Sequence, residues 1–147
     1  ITWQIPTIIL LTLIFNKKVV FRAFSIYIIL GLFIFPVFHQ GGSIGYLLTP
    51  NFGYLLGLYP LIKIIDNLNN RNKITIGNFL KNGFLAIGAM HLTGIFYNFI
   101  QIIFYSQFNL FLYNLGKYSL GKIGYHFLML FPLLLLIKPI ERLKRSK

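Results

Sequence analysis

The chain has 147 residues, of which 56% are hydrophobic and only 11% charged, with a mean hydropathy of +0.73. A water-soluble domain carries about a quarter of its residues as charges, so a soluble globular fold is excluded and one integral-membrane domain over residues 1–147 is expected. The formal net charge of +12 comes from basic residues clustered at the ends of apolar runs rather than along one face, which excludes nucleic-acid binding, and the absence of cysteine excludes a disulfide framework and a thiolate metal site.

The chain begins at Ile1, and Thr2, Trp3 and Gln4 already read as loop. A preceding segment long enough for one more helix is therefore expected, so that the domain is N-terminally truncated. No charged region ahead of the first apolar run marks a signal peptide. A helix crossing the ~30 Å hydrocarbon core needs roughly 20 residues. The first span is predicted over residues 5–15, with Pro6 tolerated at its start. A second covers 19–35 and ends before Pro36. The third, 53–68, contains Pro60 as a kink. A fourth lies within 74–105, too long for one straight crossing, so a tilt or a break near 88–94 is expected. The fifth runs over 121–137 and meets Pro139. The expected fold class is an all-α membrane protein, a bundle of five visible transmembrane helices.

Charge sets the sidedness. Residues 23–62 contain no Asp, Glu, Lys or Arg, whereas the tail holds Lys138, Arg142, Lys144, Arg145 and Lys147 against Glu141. Basic residues mark the cytoplasmic side, so the C-terminus is expected inside a multi-pass protein of the cell membrane. Counting back places 69–73 and 16–18 inside, and 36–52 and 1–4 outside. Every basic residue except Lys117 and Lys122 then falls on or near the inner side, together with both acids, Asp66 and Glu141.

Three outward segments, 2–4, 35–54 and 106–122, can converge. Gly41, Gly42, Gly45 and Gly53 allow a ligand to approach backbone N–H groups closely, and Pro36 and Pro50 stiffen the same loop. Trp3, Phe38, Tyr46, Phe52 and Tyr54 supply flat apolar walls, while Gln4, Gln40, Ser43, Thr49 and Asn51 supply donors and acceptors. Mixed aromatic and amide character suits a small, partly polar molecule. The same residues also suit a tight re-entrant turn and an interfacial aromatic belt.

The stretch Phe35-Pro36-Val37-Phe38, the pair Gly41-Gly42, and Tyr46-Leu47-Leu48-Thr49-Pro50-Asn51-Phe52-Gly53-Tyr54-Leu55 resemble the signature of the BioY family. These are substrate-binding (S) components of energy-coupling-factor transporters for biotin. Thr2-Trp3-Gln4 is similar to the family's threonine-x-glutamine motif. The resemblance implies a six-helix fold whose spans two to six map onto this chain, with the first helix missing. It implies biotin binding on the outer side, delivery inward, and partnership with a transmembrane coupling protein and paired ATPase subunits within the lipid bilayer. It also implies that Thr2, Gln4, His39, Gln40, Gly41, Gly42, Tyr46, Asn51, Gly53 and Tyr54 contribute to the site, the 41–54 loop closing over the ligand against residues 2–4. Departures are definite: Thr49 and Phe52 stand for glycines and Asn51 for threonine. The family places an aspartate, followed three residues later by a lysine, at the start of its last helix, where this chain has Gly124-Tyr125-His126-Phe127-Leu128.

Lys122, and less directly Lys117, are candidates to hold a ligand carboxylate at the mouth of an uncharged pocket; either also suits a snorkelling anchor. His39, His91 and His126 are far apart in the sequence and lack carboxylate or thiolate partners, so no metal or other cofactor is expected. His39 belongs to the binding loop, and His91 and His126 to the bundle interior. Asn98 and Gln101, three apart on one helix face, either join helices or line the pocket, and Gly53 with Gly57 suits close helix packing. With both acids at the inner edge and no base beside a serine, an enzyme is not expected. An S component for another small carboxylate vitamin, or a non-transporting membrane scaffold, remain as alternatives.

Overall fold

The computed structural model describes residues 3–38, 42–69, 74–105 and 108–145, without the side chains of 104, 105, 144 and 145. Helix α1, Gln4–Ile14, is followed after a two-residue link by α2, Lys17–Phe33, whose start is capped by the Asn16 side chain accepting from the Lys18 N–H at 2.9 Å. Among the described residues that follow, 35–38 are non-helical and Ile44–Leu48 form one tight 3₁₀ turn. Pro50 then opens α3, Pro50–Leu56, in the first turn, where its missing N–H costs no hydrogen bond. The α-helix is interrupted at Gly57 before α4, Leu58–Asp66, three residues ahead of Pro60, which lies in the first turn of α4.

Helix α5, Ile76–Tyr105, runs 30 residues without interruption. The break expected near 88–94 is absent: Gly94 remains helical, and its missing Cβ makes room for the Tyr54 ring. Helix α6, Phe108–Asn114, passes through a π-helical stretch, Leu115–Leu120, into α7, Gly121–Leu128, and then α8, Leu130–Arg145. The segment 106–122 was expected as an outer loop, but its described residues are helical. The last span also extends beyond its expected end, with Pro139 inside α8.

Helix α5 is the spine against which α3 and α4 pack, and α1 packs on α4 and α8. Ile9, Leu13, Leu61, Ile62, Ile65, Leu68, Phe79, Ile87 and Leu130 form the innermost core. Two acid contacts close one end of the bundle. Asp66 pairs with Lys17 at 3.4 Å and accepts from Asn69, and Glu141 accepts from the Ile74 N–H. At the opposite end, rings of Phe24, Tyr27, Phe38, Tyr46, Phe52 and Tyr97 touch in succession and fasten the 34–49 segment onto α2, α3 and α5.

The outer surface is apolar. On α5, Leu85, Leu92, Phe96, Phe99 and Ile103 are exposed at helical spacing along one stripe, and Ile26, Ile29 and Phe33 do the same on α2. Water tolerates no such continuous patch, whereas hydrocarbon does. Ile76–Ile103 is by itself long and apolar enough to cross a membrane; Phe108–Leu128 and Leu130–Leu143, bent by 41°, meet that test together. The described residues thus form an all-helical bundle of membrane character.

Candidate ligand cavity

A cavity of about 100 Å³ opens between the start of α1, the 3₁₀ turn, α3, α5 and α7. Five of the residues singled out in the sequence meet there: Gln4, Tyr46, Asn51, Tyr54 and Lys122. They are joined by Ile5, Leu55, Leu58 and Met90 as apolar lining, and by Tyr118 and His126. Thr2, His39, Gln40 and Gly41 lie outside the described residues.

Each polar wall residue is held for a local reason. The Gln4 side chain donates to the Tyr27 hydroxyl at 3.0 Å, tying α1 to α2. Tyr46 sits in the tight turn, stacked on Phe38 at 4.5 Å between ring centroids and edge-on to Phe52. Burial, with the neighbouring Tyr27 and Tyr118 phenols, pushes the Tyr46 hydroxyl up to about 12, so it remains a protonated donor at physiological pH. The turn itself is fixed from α5, where Tyr97 donates to the Leu47 carbonyl and Gln101 to the Leu48 carbonyl. Gln101 and Asn98 border a separate cavity of about 160 Å³ rather than the main site; Gln101 ties α5 to the turn, whereas Asn98 donates within α5 to the Gly94 carbonyl.

Gly42 and Gly53 are absent from the cavity lining. A Cβ on Gly42 would lie 2.5 Å from the Gly31 carbonyl oxygen and 2.6 Å from that of Phe35, and one on Gly53 would lie 2.4 Å from Tyr97 Cβ. Their missing side chains let Gly42 lie against the end of α2 and let α3 seat on α5. Phe38 and Phe52, expected as pocket walls, are core residues at 5% and 6% exposure.

The two lysines separate. Lys122 lines the cavity, with its Nζ 5.1 Å from the Tyr118 ring centroid. Lys117 lies outside it, 3.4 Å from the Tyr113 hydroxyl and over the Tyr113 and Tyr118 rings. His126 and Tyr118 were not among the expected site residues. His91 and His126, far apart in the sequence and both expected in the bundle interior, meet with His91 Nε2 3.0 Å from His126 Nδ1. The usable signal was a spacing: Lys122 precedes His126 by four residues, which puts both on one face of a helix. A π-helical stretch, Leu115–Leu120, runs directly into α7, and such turns are frequent at functional sites. Among the described residues, no group of His, Asp and Glu side chains has metal-binding geometry.

An all-helical bundle with a lipid-compatible surface and a small aromatic, amide-lined cavity defines a membrane protein with a candidate ligand site. The BioY family model matches residues 1–132, and the chain belongs to that family. The "probable biotin transporter BioY" of Lysinibacillus sphaericus is 37% identical over 70 residues, which cover 48% of this chain and 36% of that protein. The match therefore spans about a third of that relative's length, and the relative's name is that of a transporter, not an enzyme. No solved structure matches the chain.

Proposed function

We propose that this protein takes up biotin, binding it on the outer side of the cell membrane and delivering it inward as the S component of an energy-coupling-factor transporter. The observation that carries this reading is the convergence of Gln4, Tyr46, Asn51, Tyr54 and Lys122 on one cavity, in a chain of the BioY family. The name of the Lysinibacillus sphaericus relative supports the same ligand. On this reading the helices form five spans with the C-terminus cytoplasmic, and energy comes from a separate coupling protein and paired ATPases.

The cavity is small for a whole ligand, since drug-sized sites occupy about 300–1,000 Å³. Binding therefore rearranges it, the 41–54 loop closing over the ligand against residues 2–4. The ligand carboxylate rests at Lys122, and the apolar walls take the hydrocarbon.

Radiolabelled biotin binding to the purified full-length protein tests the function. Saturable binding supports it, and its absence rejects biotin in favour of another vitamin or a scaffold. Single cysteines at positions 43 and 146 test the topology separately. They are expected to label from opposite sides of the membrane, and labelling of both by an impermeant reagent outside intact cells rejects it.

A further inference from the structure

Behind the cavity, four side chains form an unbroken line of hydrogen bonds. Tyr54 Oη lies 2.7 Å from Ser119 Oγ, Ser119 Oγ lies 3.3 Å from His91 Nδ1, and His91 Nε2 lies 3.0 Å from His126 Nδ1. The two inner members are shut away from solvent, Ser119 at 3% and His91 at 2% exposure, while the two end members, Tyr54 and His126, both line the cavity.

A neutral imidazole has one N–H and one bare nitrogen, and a hydroxyl has one hydrogen to give. Those facts fix the polarity of the line. With the His91 proton on Nε2, His91 donates to His126 Nδ1, so His126 carries its own proton on Nε2 and offers an N–H to the cavity. His91 Nδ1 then accepts from Ser119, Ser119 accepts from Tyr54, and Tyr54 offers only oxygen lone pairs. With the His91 proton on Nδ1, the bonds reverse. His91 donates to Ser119, Ser119 donates to Tyr54, His126 donates from Nδ1 to His91, and the cavity receives a bare His126 Nε2 and a free Tyr54 O–H. While the Ser119 hydrogen stays within the line, one end gives and the other takes. Burial makes breaking the line costly, because each orphaned polar group loses its partner in a medium with little water.

We propose that this line reads a neutral ligand group bearing an N–H beside a C=O, as in a cyclic urea or an amide, with His126 and Tyr54 as the contacting pair and His91 and Ser119 as positioning residues. A carboxylate would ask for two donors and an ammonium for two acceptors, and neither polarity state offers such a pair. Lys122, one helical turn before His126 on α7, is the charged side chain that lines the cavity among the described residues, so the charged and neutral ends of a ligand fall at successive turns of one helix. Reversal leaves the charge of the line unchanged, one proton entering at one end as another leaves at the other, which lets it adapt to either order of donor and acceptor. This assignment rests on the cavity being the ligand site of the proposed transporter.

Two experiments test it, one of them without ligand. Both polarity states give His91 and His126 the same tautomer, Nε2–H in one and Nδ1–H in the other. Nitrogen-15 NMR of the histidine-labelled full-length protein is expected to show two neutral rings of matching tautomer at these positions. Unlike tautomers, or a charged ring at either position, would overturn the line whatever the ligand is.

The second experiment measures binding of biotin and of biotin methyl ester by calorimetry. His126→Phe is expected to weaken both by about tenfold, the worth of a ligand hydrogen bond together with the group left unpaired. His126→Gln, whose amide can give or take, retains more affinity, and Ser119→Ala weakens both ligands although it touches neither. Biotin methylated on its urea nitrogens binds wild type more weakly than biotin does, and His126→Phe removes most of that difference. Wild-type affinity in His126→Phe, or a loss confined to the acid, overturns the assignment. Failure of wild type to bind either ligand rejects the biotin reading instead, and the NMR result then decides the line.

Discussion

The cavity's two walls are built on different principles. Gln4, Tyr46, Asn51 and Tyr54 project from helix starts and a tight turn, held by stacked rings and by side chains that donate to turn carbonyls. Tyr118, Lys122 and His126 project from one helical run in which a π turn passes into α7, and their surroundings are organised by bonds between side chains. The first wall owes its shape to places where backbone meets ring at distances that only glycine permits. The second owes its chemistry to buried polar groups and one cation. Loss of the first wall's glycine contacts is therefore damage to the fold, whereas loss of Lys122 or His126 is damage to recognition.

Glycine substitution gives the largest test of that difference. Gly53→Val must push α3 away from α5, because the new Cβ would sit 2.4 Å from Tyr97 Cβ and 2.7 Å from Tyr97 Cγ. Overpacking of this kind costs about 3 kcal/mol, near the upper end of the usual range. Thermal unfolding in detergent should show a clearly lowered midpoint, with ligand binding lost only as folded protein is lost. An unchanged midpoint with binding abolished would return Gly53 to the ligand site and erase the contrast between the walls.

Lys122→Gln probes the other wall and should leave the midpoint unchanged. If Lys122 neutralises the ligand carboxylate, its loss weakens the acid by about 1.5–3 kcal/mol, the usual worth of a hydrogen bond to a charged group. At about 1.4 kcal/mol per decade that is roughly tenfold to a hundredfold. The methyl ester should lose much less. Lys117→Gln is the internal control, since Lys117 lies outside the cavity and its removal should leave binding unaltered. Equal affinities of wild type and Lys122→Gln for the acid would make Lys122 a membrane anchor.

The same contrast governs how much could be read from the amino-acid sequence. Helices α1 and α2 end within two residues of their expected limits because loop residues and proline bound their apolar runs. The first wall was legible since its residues lie close together in one motif, apart from Gln4. The stretch 108–122 looked like a loop because Asn114, Lys117, Ser119 and Lys122 interrupt the apolar pattern. Ser119 instead faces inward and meets Tyr54, 65 positions earlier, and His91, 28 positions earlier. No local periodicity encodes such partners. Gly94 misled in the opposite direction: a glycine inside a long helix reads as a weak point, yet it serves here to receive the Tyr54 ring.

The smallest expected effect has the opposite sign. Ser43 has φ 118° and ψ 165°, the non-glycine residue with positive φ among those described. That region is essentially reserved for glycine, and holding another residue there costs on the order of 1–3 kcal/mol. Ser43 is kept there from both sides, its N–H donating to the Gly31 carbonyl at 3.1 Å and its carbonyl accepting from the Tyr46 N–H at 3.0 Å. Ser43→Gly removes the strain but returns about 0.5–1 kcal/mol as extra freedom of the unfolded chain. A net stabilisation of about 1 kcal/mol should follow, read as a raised unfolding midpoint. Biotin affinity should stay within twofold, because Ser43 is not among the cavity's lining residues. One position earlier, Gly42→Val should lower the midpoint, since its Cβ would strike two backbone carbonyls. Opposite shifts at adjacent residues, both without a separate effect on affinity, are the signature of a wall that serves the fold. A midpoint lowered by Ser43→Gly would mean that the serine side chain itself holds the turn, and the strain argument would fail.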